Sequence, residues 1–418
     1  MKVKLSDVVF KGFLFLVAFD FATKDIFIHF ALPLDGIKVQ IYKVYVLFLF
    51  VLSVVSLAVG QYVSLAKLKL LKGLMLFWVF WGVCVIPIFF LVADLSSKSI
   101  MYFVGDSIGW FCIPVFFFLM YRDLSDNKLI EQRLSELFNF MRFIIFFGLF
   151  KFFVLKFAGY HLIPMGLPIY FFYLSCILFL LFKKDFLPNH LKIEKKYLHL
   201  FLGLTLFLIL VYAQRTQIII FIVALIAFYI TYSGAYLKKF ALFFLVILIG
   251  SVAVMYLPET IYIKFAKLAN GSGTLLPNGF FIPFVTLDNS LTQRVYESLD
   301  VVNTLDSHAI WWTGGGNGFS FINGHMKQFK EFDNIHHVHV SYFAILLRVG
   351  LVGLLTSLAV LFWAMTKVFS EDPLSKVLGV SVICLAIDYA FFQRFYYSFE
   401  LPFTLAMLAT TVEKRQGG

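Results

Sequence analysis

Runs of about twenty apolar residues recur along the chain, and they limit its fold more than any other feature. Each α-helix that crosses the hydrocarbon core of a bilayer needs one such run. The chain is 61% hydrophobic and 14% charged, whereas a soluble domain has about 45–50% apolar and about 25% charged residues. The runs are continuous rather than alternating, which excludes the strands of a membrane β-barrel. We therefore predict an all-α polytopic membrane protein.

The runs predict about twelve transmembrane helices and one long connection. The predicted spans lie near residues 8–23, 42–60, 74–93, 101–120, 137–157, 168–182, 197–213, 215–233, 239–257, 341–366, 375–393 and 399–412. Residues 1–257 then hold helices one to nine, residues 258–340 form a loop containing short helices, and residues 341–418 hold helices ten to twelve. The first run has no small-residue cleavage site, so we interpret it as a retained span.

Basic residues concentrate in alternate connections, and cytoplasmic loops are normally the basic ones. The rich connections hold Lys67, Lys69 and Lys72; Arg122, Lys128 and Arg133; Lys183, Lys184, Lys192, Lys195 and Lys196; Lys238 and Lys239; and Lys367 and Lys376. Residues 258–340 instead hold five Lys or Arg against seven Asp or Glu. We therefore predict that this loop is periplasmic and that both termini are cytoplasmic. The net charge of +11 is mostly a topology signal and does not indicate a nucleic-acid partner.

Two isolated arginines stand out on the predicted outer side. Arg215 opens the predicted eighth span on a connection otherwise without charge, where the charge rule disfavours a simple anchor, so we favour a functional role. Arg294 lies in a predicted short helix over residues 289–305, whose apolar residues have helical spacing. Glu297 follows three residues later, and by itself this spacing is typical of a solvated Arg–Glu pair.

A glycine run and a histidine cluster follow in the same loop. Gly314, Gly315 and Gly316 follow Trp311 and Trp312 after a single threonine, and they form either a site for close approach of a ligand or a flexible turn. Three of the nine histidines stand at 336, 337 and 339, just before an apolar run. A metal site is one interpretation, but few carboxylates or thiolates are near. A single neutral histidine that accepts a proton from a hydroxyl fits better.

Several ionisable residues fall inside predicted spans, where each is a functional candidate by default. They are Asp20, Asp106, Arg142, Lys151, Arg348 and Asp388. The sequence does not indicate which of them pair across helices.

Taken in order, these features resemble the O-antigen polymerase and O-antigen ligase superfamily of bacterial cell-envelope enzymes, the Wzy and WaaL group. That family has an arginine that opens a central span, a loop with a second arginine, a glycine turn with an aromatic residue, and a histidine that starts a span ending in a GLIG-like sequence. The counterparts are Arg215 in QRTQ, Arg294 in SLTQRVYESL, GNGF at 316–319, and HVSYFAILLRVGLVG from His339. The resemblance covers residues 215–353, and the first two hundred residues match only in hydropathy.

Two positions depart from the family pattern. Val340 follows His339 where the family commonly has Asn, and Arg348 stands where it often has an acidic residue. His339 lies eleven residues before Gly350, which is the spacing of the family's catalytic histidine. Whether His339 or His337 acts as the base is left open.

The resemblance implies an inverting, metal-independent glycan transfer from an undecaprenyl diphosphate carrier, without a cofactor. His339 would be the base, and Arg215 and Arg294 would hold the diphosphate. The expected substrate-binding residues are His337, Gly316, Asn317, Gly318 and Tyr342. The implied partners are the lipid-linked glycan donor, a glycan acceptor, the lipid bilayer and a chain-length regulator protein, in the bacterial inner membrane.

Within the superfamily, the GGGNGF turn and the full loop favour a polymerase over a ligase, which differs in its acceptor. A polysaccharide flippase also has about twelve spans, but it predicts inverted repeats and charges near the bilayer midplane. No repeat is evident, and the polar residues cluster on one outer face. A purely structural membrane protein is the least favoured interpretation.

Overall fold

The computed structural model describes only part of the chain. The described residues are 5–29, 35–59, 69–93, 96–124, 127–157, 289–324, 334–391 and 399–415, the pairs 274–275 and 281–282, and a few single positions between 200 and 226. Arg215, the predicted spans 168–182 and 239–257, and most of the spans 197–213 and 215–233 lie outside the described residues.

The described residues are mostly helical, as the apolar runs predict. The helices are α1 Leu5–His29, α2 Asp35–Val59, α3 Lys69–Cys84, α4 Ile86–Val92, α5 Ser97–Leu124, α6 Asn127–Phe157, α7 Asn289–Ser307, α8 Ser341–Met365, α9 Pro373–Phe391 and α10 Glu400–Arg415. A short 3-10 helix, Thr366–Phe369, follows α8.

Five stretches of the described residues are long and apolar enough to cross a membrane. They are Leu70–Val92, Ser99–Leu124, Gln132–Leu155, Ser341–Phe369 and Pro373–Ala390. Helices also cover the predicted spans near 8–23, 42–60 and 399–412. The chain is therefore an α-helical, multi-pass membrane protein, while the total of twelve spans and the division at residues 257 and 340 stay predictions.

Helix α5 is the centre of the bundle, and it packs against α1, α2, α3, α6 and α10. Its Trp110 stacks on Trp78 of α3 with 4.6 Å between ring centroids. Each indole N–H donates to the main-chain carbonyl of the other tryptophan, at 3.2 Å in both directions. Because a buried indole needs an acceptor for its N–H, this reciprocal pair joins α3 and α5 without leaving either donor unsatisfied.

The two ends of the chain meet at the C-terminal end of α5. The Ser6 hydroxyl of α1 donates to Asp123 at 2.7 Å, and the Tyr121 hydroxyl donates to Glu413 of α10. Arg133 of α6 adds an ion pair to Asp123 at 2.9 Å. The start of α1 and the end of α10 therefore lie at the same end of α5, which agrees with an even number of spans. The side of the membrane on which this end lies stays a prediction.

Helix α8 is broken at Gly350, which has φ 67° and ψ −171°. Backbone groups inside a bilayer must find partners within the protein, and here the loop before α8 supplies them. The Leu351 N–H donates to the Trp311 carbonyl at 2.8 Å, and the Leu347 carbonyl accepts from the Gly315 N–H at 2.9 Å. The Trp81 indole donates to the Val349 carbonyl at 2.8 Å. The glycine turn is thus inserted at the break and stabilises it.

Helix α7 matches the short helix predicted from the sequence, but its apolar spacing does not mark its buried face. Val295, Leu299 and Val302 are only partly buried. The fully buried positions include the polar residues Glu297, Asp300 and Thr304. These side chains face backbone donors of the loop, since Asp300 accepts from the Gly324 N–H at 3.1 Å and Thr304 accepts from the Ile322 N–H at 2.9 Å.

Two short antiparallel ladders lie in the described part of the loop. Strand β1 Thr274–Leu275 pairs with β2 Phe281–Ile282. Strand β3 Phe321–Ile322 pairs with β4 Asn334–Ile335, with Phe321 opposite Ile335. Because β3 follows the glycine turn and β4 precedes the histidine cluster, this pairing brings the two motifs together.

Candidate active site

His339 is held by a buried carboxylate of the loop helix. Its backbone N–H donates to Glu297 Oε2 at 2.8 Å, and its ring Nδ1 lies 3.1 Å from both Glu297 oxygens. The Glu297 side chain is fully buried, whereas the His339 side chain is 34% exposed. The carboxylate is therefore hidden behind the imidazole, and the imidazole faces the open side of the site.

This contact determines which ring nitrogen of His339 can accept a proton. An ionised carboxylate only accepts hydrogen bonds, so the Nδ1 that faces it must carry hydrogen. In a neutral imidazole the other nitrogen, Nε2, then has a free lone pair. The Glu297–His339 pair therefore has the arrangement of an orienting carboxylate and a general base.

Arg294 lies one helical turn before Glu297 on α7. Side chains three residues apart on a helix are neighbours, with about 5–6 Å between their Cβ atoms. The Arg294 side chain is partly buried. Arg294 therefore lies within one turn of the Glu297–His339 contact, near the middle of α7. Because Glu297 is fully buried, it is not the solvated member of an Arg–Glu pair.

A second polar cluster lies beside the first, inside the helix bundle. The buried Arg348 Nε contacts Asp106 Oδ2 of α5 at 2.8 Å. The same carboxylate oxygen accepts from the Gly318 N–H at 3.0 Å and lies 3.4 Å from His336 Nε2. Arg348 also donates to the His336 carbonyl at 3.1 Å. Asp106 therefore joins α5, α8, the glycine turn and the histidine cluster.

His336 belongs to this second cluster and not to the first. Its ring stacks on Tyr102 with 3.7 Å between centroids and 3° between planes. Burial, and then the positive charge of Arg348, lower the pKa of His336 below its usual value. A neutral His336 can accept from the Arg348 guanidinium, whose Nη2 lies 3.3 Å from His336 Nε2. His336 is therefore a packing and hydrogen-bonding residue of the cluster.

The glycines of the turn are required by the close approach of other backbones. Gly316 and Gly318 have φ of 83° and 85°, a region that L side chains rarely adopt. A Cβ on Gly316 would lie 2.5 Å from that of Phe89, and one on Gly318 would collide with the backbone of Phe103. Packing alone explains both glycines, and their contact with substrate stays a prediction.

The remaining predicted binding residues have different surroundings. His337 is exposed, and its ring meets that of His339 edge-on at 4.7 Å. Asn317 is fully buried, and its amide makes no hydrogen bond within the part of the chain that the structure describes. The Tyr342 hydroxyl donates to the Ala386 carbonyl of α9 at 2.7 Å, so it joins two helices. Substrate binding by these three residues stays a prediction.

Sequence reasoning missed Glu297 as the partner of His339 and Asp106 as the partner of Arg348. One signal was present for each pair. A carboxylate on a helix that is otherwise spaced for burial, and opposite charges on two apolar spans, both predict contacts in the fold. Neither signal shows which residue the carboxylate or the charged side chain contacts. Within the described ranges, no group of three or more His, Cys, Asp or Glu could hold a metal ion.

The comparison with known protein families agrees with the motifs. Residues 200–358 match the O-antigen ligase family. This stretch contains Arg215, Arg294, the glycine turn and His339, so it confirms the resemblance to the polymerase and ligase superfamily. A comparison with curated proteins found no match.

Proposed function

We propose, from the match of residues 200–358 to the O-antigen ligase family, that this membrane protein is a glycosyltransferase of the O-antigen polymerase type. It would polymerise undecaprenyl-diphosphate-linked oligosaccharide repeat units at the periplasmic face of the inner membrane. The observation that carries the proposal is the Glu297–His339 pair one helical turn from Arg294. An oriented base beside a fixed cation is what a glycan transfer from a diphosphate carrier needs.

In the proposed reaction, His339 Nε2 takes the proton of an acceptor hydroxyl. The hydroxyl oxygen forms a bond to the anomeric carbon of the donor glycan. The bond from that carbon to the diphosphate oxygen breaks with its electron pair, and undecaprenyl diphosphate leaves. The configuration at the anomeric carbon is inverted, because attack and departure occur on opposite faces. A positioned base of this kind contributes about 10²–10⁴-fold to the rate.

Glu297 supports this step without touching the substrate. It fixes the His339 tautomer by accepting from Nδ1, and it stabilises the imidazolium that forms when Nε2 takes the proton. Because Glu297 is fully buried, water does not compete for its oxygens. Glu297 is thus a positioning residue for His339.

The arginines would hold the departing diphosphate. A guanidinium presents paired N–H donors that match phosphate oxygens in geometry and charge. Arg294 lies three residues before Glu297 on the same helix, which supports this role. We assign Arg215 the same role on the resemblance alone, together with substrate contacts of His337, Gly316, Asn317, Gly318 and Tyr342. We expect no metal ion or cofactor to take part.

The test is the in vitro extension of purified lipid-linked repeat units. We expect His339→Ala to lower turnover by about 10²–10⁴-fold, while binding of undecaprenyl diphosphate persists. Arg294→Ala should weaken that binding, and Arg294→Lys should restore it poorly because Lys has no planar fork. His337→Ala is the matched control, and we expect an intermediate effect. A dead His337→Ala with an active His339→Ala would transfer the role to His337, and loss of wild-type activity in EDTA would contradict a metal-free reaction.

The alternative is an O-antigen ligase, which would transfer the finished glycan to the lipid A–core. A strain that lacks the gene distinguishes the two. Single repeat units on its lipopolysaccharide indicate a polymerase, and a core without any glycan indicates a ligase. Lipid-linked units that accumulate on the cytoplasmic side would indicate a flippase instead. For a polymerase, the chain-length regulator is the protein partner that we expect.

A further inference from the structure

A cavity of about 440 Å³ lies next to the candidate active site and is not used by the proposed mechanism. Its wall is formed by the end of α4, the start of α5, the residue after α7, the strand β3 with the turn before it, and His336. Its volume is within the range of about 300–1,000 Å³ that is typical of small-molecule sites. The cavity is therefore large enough for a specific ligand.

The chemistry of the wall is polar but uncharged. The hydroxyl-bearing residues Ser96, Ser99, Tyr102 and Ser320 and the imidazoles of His308 and His336 contribute to it. The described lining residues include no carboxylate, ammonium or guanidinium group. The pKa of His336 is lowered by burial, so this ring is neutral near pH 7.

This lining discriminates among the parts of the proposed substrates. A diphosphate needs cations, which the described wall does not supply. A polyprenyl tail would remove water from the serine hydroxyls and histidine rings of the wall, which is unfavourable. A sugar is neutral and carries many hydroxyls, and these can pair with the serines and imidazoles while its C–H faces pack on Phe319 and Ile322.

The position of the cavity relative to α7 indicates whether a sugar bound there would belong to the donor or to the acceptor. His308 directly follows α7 and lies eleven residues after Glu297, which is about 16 Å along a helix that rises 1.5 Å per residue. Arg294 lies before Glu297 on the same helix. Along the axis of α7, Glu297 and the His339 that it contacts therefore lie between Arg294, which is proposed to bind the diphosphate, and the cavity.

The cavity also reaches close to the base itself. His336 lines it, and three residues of extended chain place its Cα at most about 11 Å from that of His339. In an inverting transfer the acceptor approaches the anomeric carbon from the face opposite to the leaving diphosphate. A ligand in the cavity is thus on the acceptor side of the base.

We propose that this cavity binds a sugar of the acceptor glycan that does not itself react. The proposal rests on the proposed function, because it takes the acceptor to be a glycan. Binding there would present the acceptor hydroxyl to His339 and would select acceptors by a sugar remote from the new bond.

The test fills the cavity without touching the catalytic groups. Ala93 is a partly buried residue of the wall at the end of α4, and Ala93→Trp would occupy the cavity. Leu91 is 84% exposed and is not part of the wall, so Leu91→Trp is the matched control. A milder variant, Ser99→Ala with Ser320→Ala, removes two hydroxyls without adding volume.

Three probes are measured against the full-length protein in detergent. They are undecaprenyl diphosphate, the free oligosaccharide released by mild acid from the strain's lipid-linked repeat unit, and the free core oligosaccharide of its lipopolysaccharide. We expect one of the two oligosaccharides to bind the wild type and Leu91→Trp, but to bind Ala93→Trp at least tenfold more weakly. The repeat unit binding would favour a polymerase, and the core binding would favour a ligase.

The same variants should separate the cavity from the diphosphate site. Ala93→Trp should keep wild-type binding of undecaprenyl diphosphate, and Arg294→Ala should keep oligosaccharide binding. In the transfer reaction, Ala93→Trp should raise the KM for the acceptor with kcat within about threefold. The double serine variant should raise that KM by about fivefold to a hundredfold, since two hydrogen bonds are lost.

Several results would overturn the proposal. One is that Ala93→Trp and the double serine variant both bind the oligosaccharide as tightly as the wild type does. Another is that Ala93→Trp loses binding of undecaprenyl diphosphate. A third is that the wild type is active but binds neither oligosaccharide. A failure of the proposed function is separate, because it would appear as a wild type that releases no undecaprenyl diphosphate from the lipid-linked unit.

Discussion

At the scale of single residues, the candidate site depends on a partnership that spans 42 positions of the chain, between Glu297 and His339. The imidazole alone has two equivalent choices of tautomer, and only the buried carboxylate selects the one with a free Nε2. His336 has a different partner, Asp106, and a stacked tyrosine. Two histidines three residues apart therefore have different surroundings, and of these two it is His339 that presents its Nδ1 to a carboxylate.

We predict that Glu297→Gln lowers kcat on the order of 10²-fold or more. An amide can either accept from Nδ1 or donate to it, so it no longer selects the Nδ1–H tautomer, and it lacks the charge that stabilises the imidazolium. KM should change little, since Glu297 does not touch substrate. The measurement is steady-state transfer with purified lipid-linked units.

Asp300→Asn is the control for that variant, because Asp300 is a second buried carboxylate of α7 that contacts Gly324 rather than His339. It should lower thermal stability and leave kcat within about threefold. Equal losses of kcat in both variants would mean that Glu297 acts only through the folding of α7.

At the scale of secondary structure, the site depends on a helix break and a turn that complete each other. Gly350 interrupts α8, and the freed backbone groups pair with the segment Trp311 to Gly315. The turn itself packs against the backbones of α4 and α5 so closely that only glycine fits at its contact positions. Because backbone polar groups within a bilayer need partners, neither α8 nor the turn would be stable in this form without the other.

We predict that Gly318→Ala destabilises the fold by about 1–3 kcal/mol or more, the cost of a strained φ and of overpacking. Its Cβ would collide with the Phe103 backbone, which cannot move as a side chain could. Thermal unfolding in detergent is the measurement.

Gly73→Ala in α3 provides the comparison, since a Cβ there meets nothing within 4 Å and alanine favours a helix. This variant should be as stable as the wild type or slightly more stable. Equal unfolding temperatures for Gly318→Ala and the wild type would show that the turn is not packed against α5.

The Asp106–Arg348 pair is tested by a double-mutant cycle. Asp106→Asn leaves the buried Arg348 charge without its carboxylate and should cost about 3–5 kcal/mol, and Arg348→Gln should have a similar cost. The double variant contains a neutral amide pair and should unfold at a higher temperature than either single variant. Strictly additive losses would show that the two side chains do not interact.

At the scale of the whole molecule, the described contacts divide the bundle into two ends. One end joins the start of α1 to the end of α10 through α5. The glycine turn and the histidine cluster contact α4 and the first turns of α5 instead. The start of α1 and the end of α10 lie at one end of α5 and the candidate site lies at the other. From the charge rule we predict that the site faces the periplasm.

We therefore predict that a reporter that works only after export is active when fused near residue 279, and that a reporter that works only in the cytoplasm is inactive there. The reason is the low basic content of residues 258–340 compared with the alternate connections. A matched fusion after residue 415 should give the opposite result. An active cytoplasmic reporter at residue 279 would reverse the orientation, and the site could then not act on units exported to the periplasm.

The sequence by itself determined the membrane class, the position of the described spans and the loop helix, because hydropathy over about twenty residues and helical spacing are local properties. An ordered set of motifs also marked His339 and Arg294 as candidate site residues, and their roles stay predictions. Only the tertiary structure decided that α7 buries Glu297, Asp300 and Thr304 beside Val301 and Leu305. It alone also decided that Glu297 contacts His339 and that Asp106 contacts Arg348. The physical reason is that each of these contacts joins residues far apart in the chain, and a buried polar group is stable only where the fold provides its partner.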